Sequence, residues 1–164
     1  MEQDQANNYA LRLLSIRPRG ARELADRLRK KGAEEGTIEA VIAGLGSAGL
    51  VDDNKFARLW IESRMSLKPM GASRLRSELI AKGIDRDIID SVLSTFKDEM
   101  DEEDAALRLA QKKLRLLRGL DTKTARRRLA GFLSRRGFSA ATVAATLRRL
   151  VRASNEDDPS EGPA

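Results

Sequence analysis

The sequence predicts an all-α protein, an elongated array of three tandem three-helix repeats. Three observations predict this fold class. Similar residues recur after 51 and then 54 positions, the apolar residues of each repeat have helical spacing, and no alternating run of β-branched residues indicates a strand. A unit of about 50 residues buries little apolar surface alone, so we expect neighbouring repeats to support one another.

The repeat is clearest in the second helix of each unit. A shift of 51 residues places Pro18 on Pro69 and Gly20 on Gly71. Leucines one turn apart recur in all three repeats, and we interpret them as core residues. The aligned positions are Leu24, Leu75 and Leu129, then Leu28, Leu79 and Leu133.

The end of the second helix is marked in the same way in each repeat. A basic residue is followed by glycine at Lys31-Gly32, Lys82-Gly83 and Arg136-Gly137. A cation beside the negative end of the helix dipole and a residue that tolerates positive φ are both typical of a helix C-terminus. Asp85 and Ser139 then stand where an N-cap is expected, so the turns are short.

The remaining helices complete three per repeat. The third helices carry apolar residues at positions i, i+3, i+4 and i+7, beginning at Ile38, Ile89 and Val143. The first helices are predicted over Tyr9 to Leu14, Phe56 to Met65 and Ala105 to Leu117, the second of them opened by Asp52 and Asp53 as a cap. The predicted segments are a polar N-terminal segment 1–8, repeats 9–51, 52–97 and 98–153, and an acidic disordered tail 154–164.

Composition excludes most enzyme classes. The 164 residues include no cysteine and no histidine, which removes thiolate nucleophiles, disulfides, zinc clusters and imidazole bases. We therefore expect no enzyme activity, no catalytic residue, no metal and no cofactor. The start of the chain is polar and acidic and no apolar run is long enough to span a membrane, so we expect a cytoplasmic protein.

Positive charge is concentrated in the third repeat. Residues 108–152 contain fourteen basic residues and one acidic residue, Asp121, a local net charge of +13 within a chain of +6. Acidic residues cluster at 98–104 and after Asn155. The basic segment favours an anionic partner, and the adjacent Arg126, Arg127 and Arg128 are its densest part.

Three other features have simpler structural interpretations. The glycine-rich segment 44–49 lacks the Gly-Lys-Ser/Thr ending of a phosphate-binding loop, so it is interpreted as a helix end with a tight turn. The acidic run 98–104 could hold a divalent metal but is expected to cap the next helix. Tyr9 and Trp60 lie 51 residues apart at equivalent positions, which favours a packing role over base stacking.

The order and spacing of these segments resemble those of the RecX family of recombinase regulators, over roughly residues 9 to 151. The matching segments are Leu11-Arg-Leu-Leu, Arg22-Glu-Leu-Ala-Asp-Arg-Leu-Arg-Lys-Lys-Gly32, Gly49-Leu-Val-Asp-Asp53 with Phe56-Ala57, Arg74-Leu-Arg-Ser-Glu-Leu-Ile-Ala-Lys-Gly83, Leu116-Leu-Arg-Gly-Leu120 and Arg126 to Phe138. The family's fold, tandem three-helix repeats, agrees with the architecture that the residue pattern predicts.

The resemblance implies a protein that binds the RecA recombinase filament and modulates, most often inhibits, its recombinase, ATPase and co-protease activities in DNA repair, homologous recombination and the SOS response. Some members of the family bind DNA themselves, and the +13 segment of this chain predicts weak, electrostatic binding to single-stranded DNA. We expect a monomer. Basic residues from all three repeats are the candidates for contact with RecA or DNA. They are Arg19, Arg22, Arg64, Lys68, Arg74, Arg76, Arg126, Arg127, Arg128, Arg135 and Arg136.

A second function remains open from the sequence. The helical units could form a general DNA- or RNA-binding protein of the helix-turn-helix type, in which basic helices contact phosphates or base edges. The third helices, however, begin with Glu35-Gly-Thr-Ile, Asp85-Arg-Asp-Ile and Ser139-Ala-Ala-Thr, which are poor base readers. Helix spacing alone does not separate the two functions.

Overall fold

The computed structural model describes residues 1–99 and 101–156, and within them the chain forms nine α-helices and no strand. The all-α fold of three tandem three-helix repeats is therefore confirmed. The helices are α1 Gln3–Ile16, α2 Ala21–Lys30, α3 Glu35–Ser47, α4 Asp53–Leu67, α5 Ala72–Ala81, α6 Arg86–Glu99, α7 Glu102–Arg115, α8 Thr122–Arg135 and α9 Ala140–Glu156. None of these helices combines the length and the apolar character needed to cross a membrane.

The chain divides into two compact units. The first unit comprises Met1–Glu62 and Arg76–Ser94, and the second comprises Ser63–Leu75 and Thr95–Ala164. The division passes through α4, α5 and α6, so each unit contains one complete terminal repeat and part of the middle repeat. A repeat that buries little surface alone is expected to share its core with a neighbour in this way.

The core of the first unit is built from residues one helical turn apart. Ala6, Ala10 and Leu13 of α1 are buried against Leu24 and Leu28 of α2, and α3 contributes its own apolar face. The predicted core leucines Leu24 and Leu28 are fully buried. The heptad-like spacing of these side chains therefore defines the packing of the terminal repeat.

The second unit packs two fully buried alanines of α7, Ala106 and Ala110, among the larger apolar side chains of α8 and α9. Its core also includes Thr146, fully buried where the second repeat has Val92. The Thr146 hydroxyl donates to the carbonyl of Thr142 at 2.8 Å, so burial of this polar group carries no unsatisfied donor.

The predicted glycine ends of the second helices and the predicted caps at Asp52, Asp85 and Ser139 are confirmed. Gly32, Gly83 and Gly137 have φ of 83°, 80° and 84°, the left-handed conformation expected after a helix C-terminus. At helix starts, a side-chain oxygen of Asp52 accepts from the N–H of Lys55 at 3.0 Å, and Ser139 accepts from Thr142 at 3.1 Å. Asp85 accepts likewise from Asp87, at 2.9 Å.

The aromatic residues of the first unit pack as predicted. Trp60 donates through Nε1 to Glu78 at 3.1 Å, and the ammonium of Lys82 lies 4.7 Å from the centre of its ring. The equivalent Lys31 lies 5.7 Å from the ring centre of Tyr9. A cation at the end of the second helix therefore covers an aromatic ring of the first helix in both repeats.

Two predicted boundaries differ from the structure. The segment 1–8 was expected to precede the first repeat, but α1 begins at Gln3 and Ala6 is fully buried one turn before Ala10, so this segment completes the core face of α1. At the other end, α9 extends to Glu156 and includes the first residues of the predicted acidic tail. The remainder of that tail, 157–164, lies outside the described residues.

Helix α8 is one turn longer than its counterparts. Helices α2 and α5 have ten residues each, whereas α8 has fourteen. The first two repeats carry Pro18 and Pro69 shortly before the helix, and the third repeat has Lys123 at that position. Without the proline, and with Asp121 accepting from the N–H of Thr124 at 2.9 Å, the helix begins one turn earlier.

Candidate functional site

The candidate contact residues are distributed over both units. Arg19, Arg22 and Arg76 belong to the first unit, and the other eight candidates belong to the second. Their exposure and their partners differ widely.

Arg19 was predicted to contact a partner, but it is buried in the first unit and has a structural role. It is only 7% exposed, and its Nε donates to the carbonyl of Leu13 at 3.1 Å. Its guanidinium also forms a salt bridge with Glu23, which Arg17 contacts at 2.6 Å. Burial alone would raise the pKa of Glu23, but hydrogen bonds from the two arginines outweigh burial and lower it. Sequence alone favoured exposure because arginine is seldom buried.

Replacing Arg19 should destabilise the fold without removing a partner contact. We expect Arg19→Ala to lose about 1–3 kcal/mol of unfolding free energy, because the Leu13 carbonyl and one side of Glu23 lose their donor. Arg19→Met should lose less, since Met70 occupies the equivalent position of the second repeat and is buried there. Urea unfolding followed by circular dichroism measures both, and a wild-type midpoint for Arg19→Ala would contradict this role.

The two other candidate residues of the first unit, Arg22 and Arg76, lie beside acidic residues. Arg22 is exposed, but the shallow groove that it lines with Lys82 also contains Glu23 and Asp26. Arg76 forms a salt bridge with Asp90. The neighbouring carboxylates offset the positive charge of these arginines, so this surface is a weak site for an anion.

The second unit contains a groove whose charged residues are all basic. We call it the basic groove, and it encloses about 570 Å³. Its cations are Lys68, Arg108, Lys112 and Arg136, with Met65 and Leu109 among its apolar lining residues. Four cations line this one groove and no acidic residue does, so positive charge is concentrated there.

Helix α7 and the end of α4 bring these cations together. Arg108 and Lys112 are one turn apart on α7, on the side opposite Ala106 and Ala110, which face the core. Lys68 follows the last turn of α4, where Pro69 prevents the helix from continuing. Arg108 and Lys112 were not among the predicted contact residues, although their spacing opposite two alanines was a usable signal.

A close backbone contact fixes Lys68 beside Arg136. The N–H of Gly71 donates to the carbonyl of Arg136 at 2.9 Å. A Cβ atom on Gly71 would overlap the carbonyl of Gly137, so only glycine allows this approach. The turn before α5 and the turn after α8 are therefore joined, and each carries one cation of the basic groove.

Aromatic contacts hold the head group of Arg136. Its guanidinium carbon lies 5.6 Å from the centre of the Phe132 ring, and the ammonium of Lys113 lies 5.4 Å from the same centre. Cation–π attraction of this kind restrains an arginine without neutralising its charge. Arg136 thus remains available to an anion.

Within the residues that the structure describes, none of the four groove cations forms an ion pair. Arg149 of α9, by contrast, contacts Asp104 at 2.9 Å. Uncompensated cations around one cavity repel one another and attract a polyanion. The arrangement can therefore bind phosphate groups.

The exposed face of α8 adds further positive charge. Arg126, Arg127 and Arg128 are all exposed and lie between the buried Ala125 and Leu129. At 100° per residue, Arg127 is opposite the core and its two neighbours lie on either side. Arg135 is also exposed, whereas Arg64 is half-buried and Arg74 is exposed with its backbone close to Gly137.

The acidic residues before α7 cap that helix. A carboxylate oxygen of Asp101 accepts from the N–H of Asp104 at 3.0 Å, as the capping interpretation predicts. Across residues 1–99 and 101–156, no three acidic side chains are placed to share a metal ion.

Comparison with known proteins agrees with this architecture. Three models of RecX domains match the chain in order: the first three-helix domain over residues 6–45, the second over 52–93 and the third over 101–147. The chain belongs to the RecX family.

Curated relatives support this membership of the RecX family. "Regulatory protein RecX" of Streptomyces lividans is 38% identical over 154 residues, which cover 94% of this chain and 81% of that protein. "Regulatory protein RecX" of Mycobacterium sp. (strain KMS) is 41% identical over 142 residues, 84% of this chain and 76% of the relative. The fold also resembles the crystal structure of RecX from Lactobacillus salivarius, with a TM-score of 0.84, 24% identity, and coverage of 90% of this chain and 96% of that one.

Proposed function

We propose that this RecX protein binds the RecA recombinase filament and modulates, principally inhibits, its recombinase, ATPase and co-protease activities. Relatives over most of the chain are named regulatory proteins, which gives this chain a RecX regulatory role. The observation that carries the proposal is the basic groove, because a filament assembled on DNA presents phosphates and the groove presents four cations without an acidic residue.

The proposed mechanism is binding without chemistry. A protein that binds one state of a filament more tightly than another shifts the balance between the two states by that difference in affinity. The chain has neither cysteine nor histidine with which to catalyse a reaction, and regulation by binding requires none. We further propose that it acts as a monomer in the cytoplasm, during DNA repair and the SOS response.

Direct, weak binding to single-stranded DNA is part of the proposal. The basic groove and Arg126 to Arg128 would contact phosphates, which gives affinity without sequence preference. If DNA binding occurred without any effect on RecA, the chain would instead be a general nucleic-acid-binding protein. The basic groove also supports this second function, so the two need a direct test.

Co-sedimentation separates the two functions. RecA filaments assembled on single-stranded DNA would be pelleted with this protein, beside a sample of the same DNA coated with an unrelated single-strand-binding protein. Retention by the RecA filaments and not by the coated DNA supports the regulator. Equal retention by both would instead identify a general DNA-binding protein.

The basic groove should make DNA binding strongly dependent on salt. The four phosphate contacts of the basic groove alone contribute about −3 to the slope of log K against log salt on a single strand, so affinity should fall at least about 50-fold between roughly 50 and 200 mM. Arg108→Gln with Lys112→Gln should reduce the magnitude of the slope by about 1.4, because two phosphate contacts are lost. Fluorescence anisotropy with a labelled oligonucleotide measures the slope.

A charge-matched control tests the position of this effect. Arg148→Gln with Arg149→Gln removes the same net charge from α9, where Arg149 already contacts Asp104. For this variant, the slope of log K against log salt should remain close to that of the wild type. A similar reduction in both double variants would show that total charge, and not the basic groove, determines binding.

A further inference from the structure

The second unit has another groove, which is apolar and separate from the basic groove. It lies where the end of α7, the first turns of α8 and the end of α9 meet, and it encloses about 450 Å³. We call it the apolar groove, and the lining residues that matter here are Leu117, Leu120, Leu129, Leu147, Leu150 and Val151.

The apolar groove exposes part of its lining. Leu129 and Leu147 are 2% and 8% exposed and form its floor, whereas Leu120 and Val151 are 38% and 46% exposed. Leu116, in the same turn as Leu120, is 76% exposed but does not line the groove. A contiguous apolar surface of this kind is typical of a contact site for another molecule.

Comparison of the repeats shows why the third repeat has this groove while the first two have buried side chains at the equivalent position. Five residues before the first core leucine, the first two repeats carry long side chains, Arg19 and Met70, which are 7% and 6% exposed. The side chain of Arg19 donates to the carbonyl of Leu13. The residue of the third repeat that is equivalent to Leu13 is Arg118, and Arg118 lines the apolar groove. The third repeat has the short Thr124 in place of those long side chains, on the additional turn of α8.

The charged residues that line the apolar groove are both basic. Arg118 and Arg126 are exposed at its edge, and within the described chain neither forms an ion pair. The nearby Asp121 is engaged in capping α8 through the N–H of Thr124 and does not line the groove. An apolar floor with cationic edges is complementary to a ligand with apolar side chains and flanking carboxylates.

We propose that the apolar groove is a docking site for an acidic amphipathic helical segment of a partner protein. Two or three large apolar side chains, spaced by three or four residues on one face of that segment, would contact Leu117, Leu147 and Val151. Its carboxylates would pair with Arg118 and Arg126. This is recognition of a helix in a groove. It uses none of the four cations of the basic groove, and Arg126 is the one residue that it shares with the proposed contact with DNA.

The chemistry of the groove disfavours other occupants. A single-stranded nucleic acid usually stacks its bases on aromatic side chains, and none lines this groove. The chain's own acidic end, 155–164, contains no apolar residue larger than proline, so it lacks anchoring side chains. In a symmetric pair of chains the arginines of the two grooves would face each other and repel.

A designed peptide tests this site directly, with a probe of defined chemistry. The probe is a helical peptide with leucines on one face and glutamates elsewhere, and its control has the same composition in scrambled order. Titration into the ¹⁵N-labelled full chain should move the amide signals of Gly119, Leu120 and Val151 for the probe and leave them unchanged for the control. Equal binding of the scrambled peptide, or shifts that map elsewhere, would overturn the proposal.

Variants complete the test. Val151→Glu and Leu120→Glu change exposed lining residues, so folding should persist while probe affinity falls at least about tenfold. Leu116→Glu adds the same charge outside the groove and should change affinity less than about threefold. If Leu116→Glu weakened probe binding as much as the two groove variants, the probe would not be bound in the apolar groove, and the proposal would be contradicted. If removal of residues 157–164 shifted the amide signals of the groove, the occupant would be the chain's own acidic end. If those signals changed with protein concentration, the occupant would be a second copy of the chain.

Discussion

Gly71→Ala is expected to cause the largest loss of stability, about 3 kcal/mol, since overpacking a fixed contact costs about that much. The added methyl group would overlap the carbonyl of Gly137, and that backbone cannot move aside as a flexible side chain can. The same change would weaken the hydrogen bond from Gly71 to Arg136 that brings Lys68 into the basic groove. Urea unfolding monitored by circular dichroism measures the loss.

Gly32→Ala is the matched control for Gly71→Ala. Gly32 has φ of 83° but no atom within 4 Å of an added Cβ, so its cost comes only from backbone conformation, about 1–2 kcal/mol. Gly71 does not have positive φ, and its cost is therefore steric. Equal losses in the two variants would show that the backbones of Gly71 and Gly137 are not in close contact.

The second large effect should appear in filament binding. Arg108→Glu with Lys112→Glu is expected to weaken binding to RecA filaments on single-stranded DNA by more than about tenfold, because reversal replaces attraction by repulsion. Arg126, Arg127 and Arg128 changed together to glutamate should also weaken binding, because they carry the positive charge of the exposed face of α8. Co-sedimentation over a range of protein concentrations gives the affinities.

Reversal on α9 provides the control for this experiment. Arg148→Glu with Arg149→Glu changes the net charge by the same amount outside the basic groove. All variants should first show wild-type helicity. If both double reversals weakened binding equally, the basic groove would have no special role, and binding would depend on the overall charge of the second unit.

The sequence predicted those parts of the fold that depend on local patterns. Core leucines such as Leu28 and Leu133, and caps such as Asp85, recur in register, and each repeat supports the assignment of the others. The start of α1 was missed because its signal is a single small residue, Ala6, among polar ones. The longer α8 follows from a missing proline, and the absence of a residue is a weaker signal than its presence.

The candidate site was less predictable because it depends on tertiary contacts. Lys68 and Arg136 were proposed separately, and the contact between Gly71 and the turn after α8 places them in one groove. No local pattern relates residues that lie so far apart in the chain. Arg19 illustrates the converse, since its sequence neighbours do not show that its guanidinium is enclosed by Glu23 and the end of α1.

RecA-driven strand exchange between a circular single strand and a linear duplex tests the central proposal most directly. We expect the wild-type protein to inhibit exchange at concentrations well below that of RecA, because a ligand that shifts a cooperative filament need not occupy every subunit. The Arg108→Glu, Lys112→Glu variant should require far more protein for the same inhibition. Strand exchange that proceeds unchanged with saturating wild-type protein, while that protein still binds DNA, would contradict a role in regulating RecA.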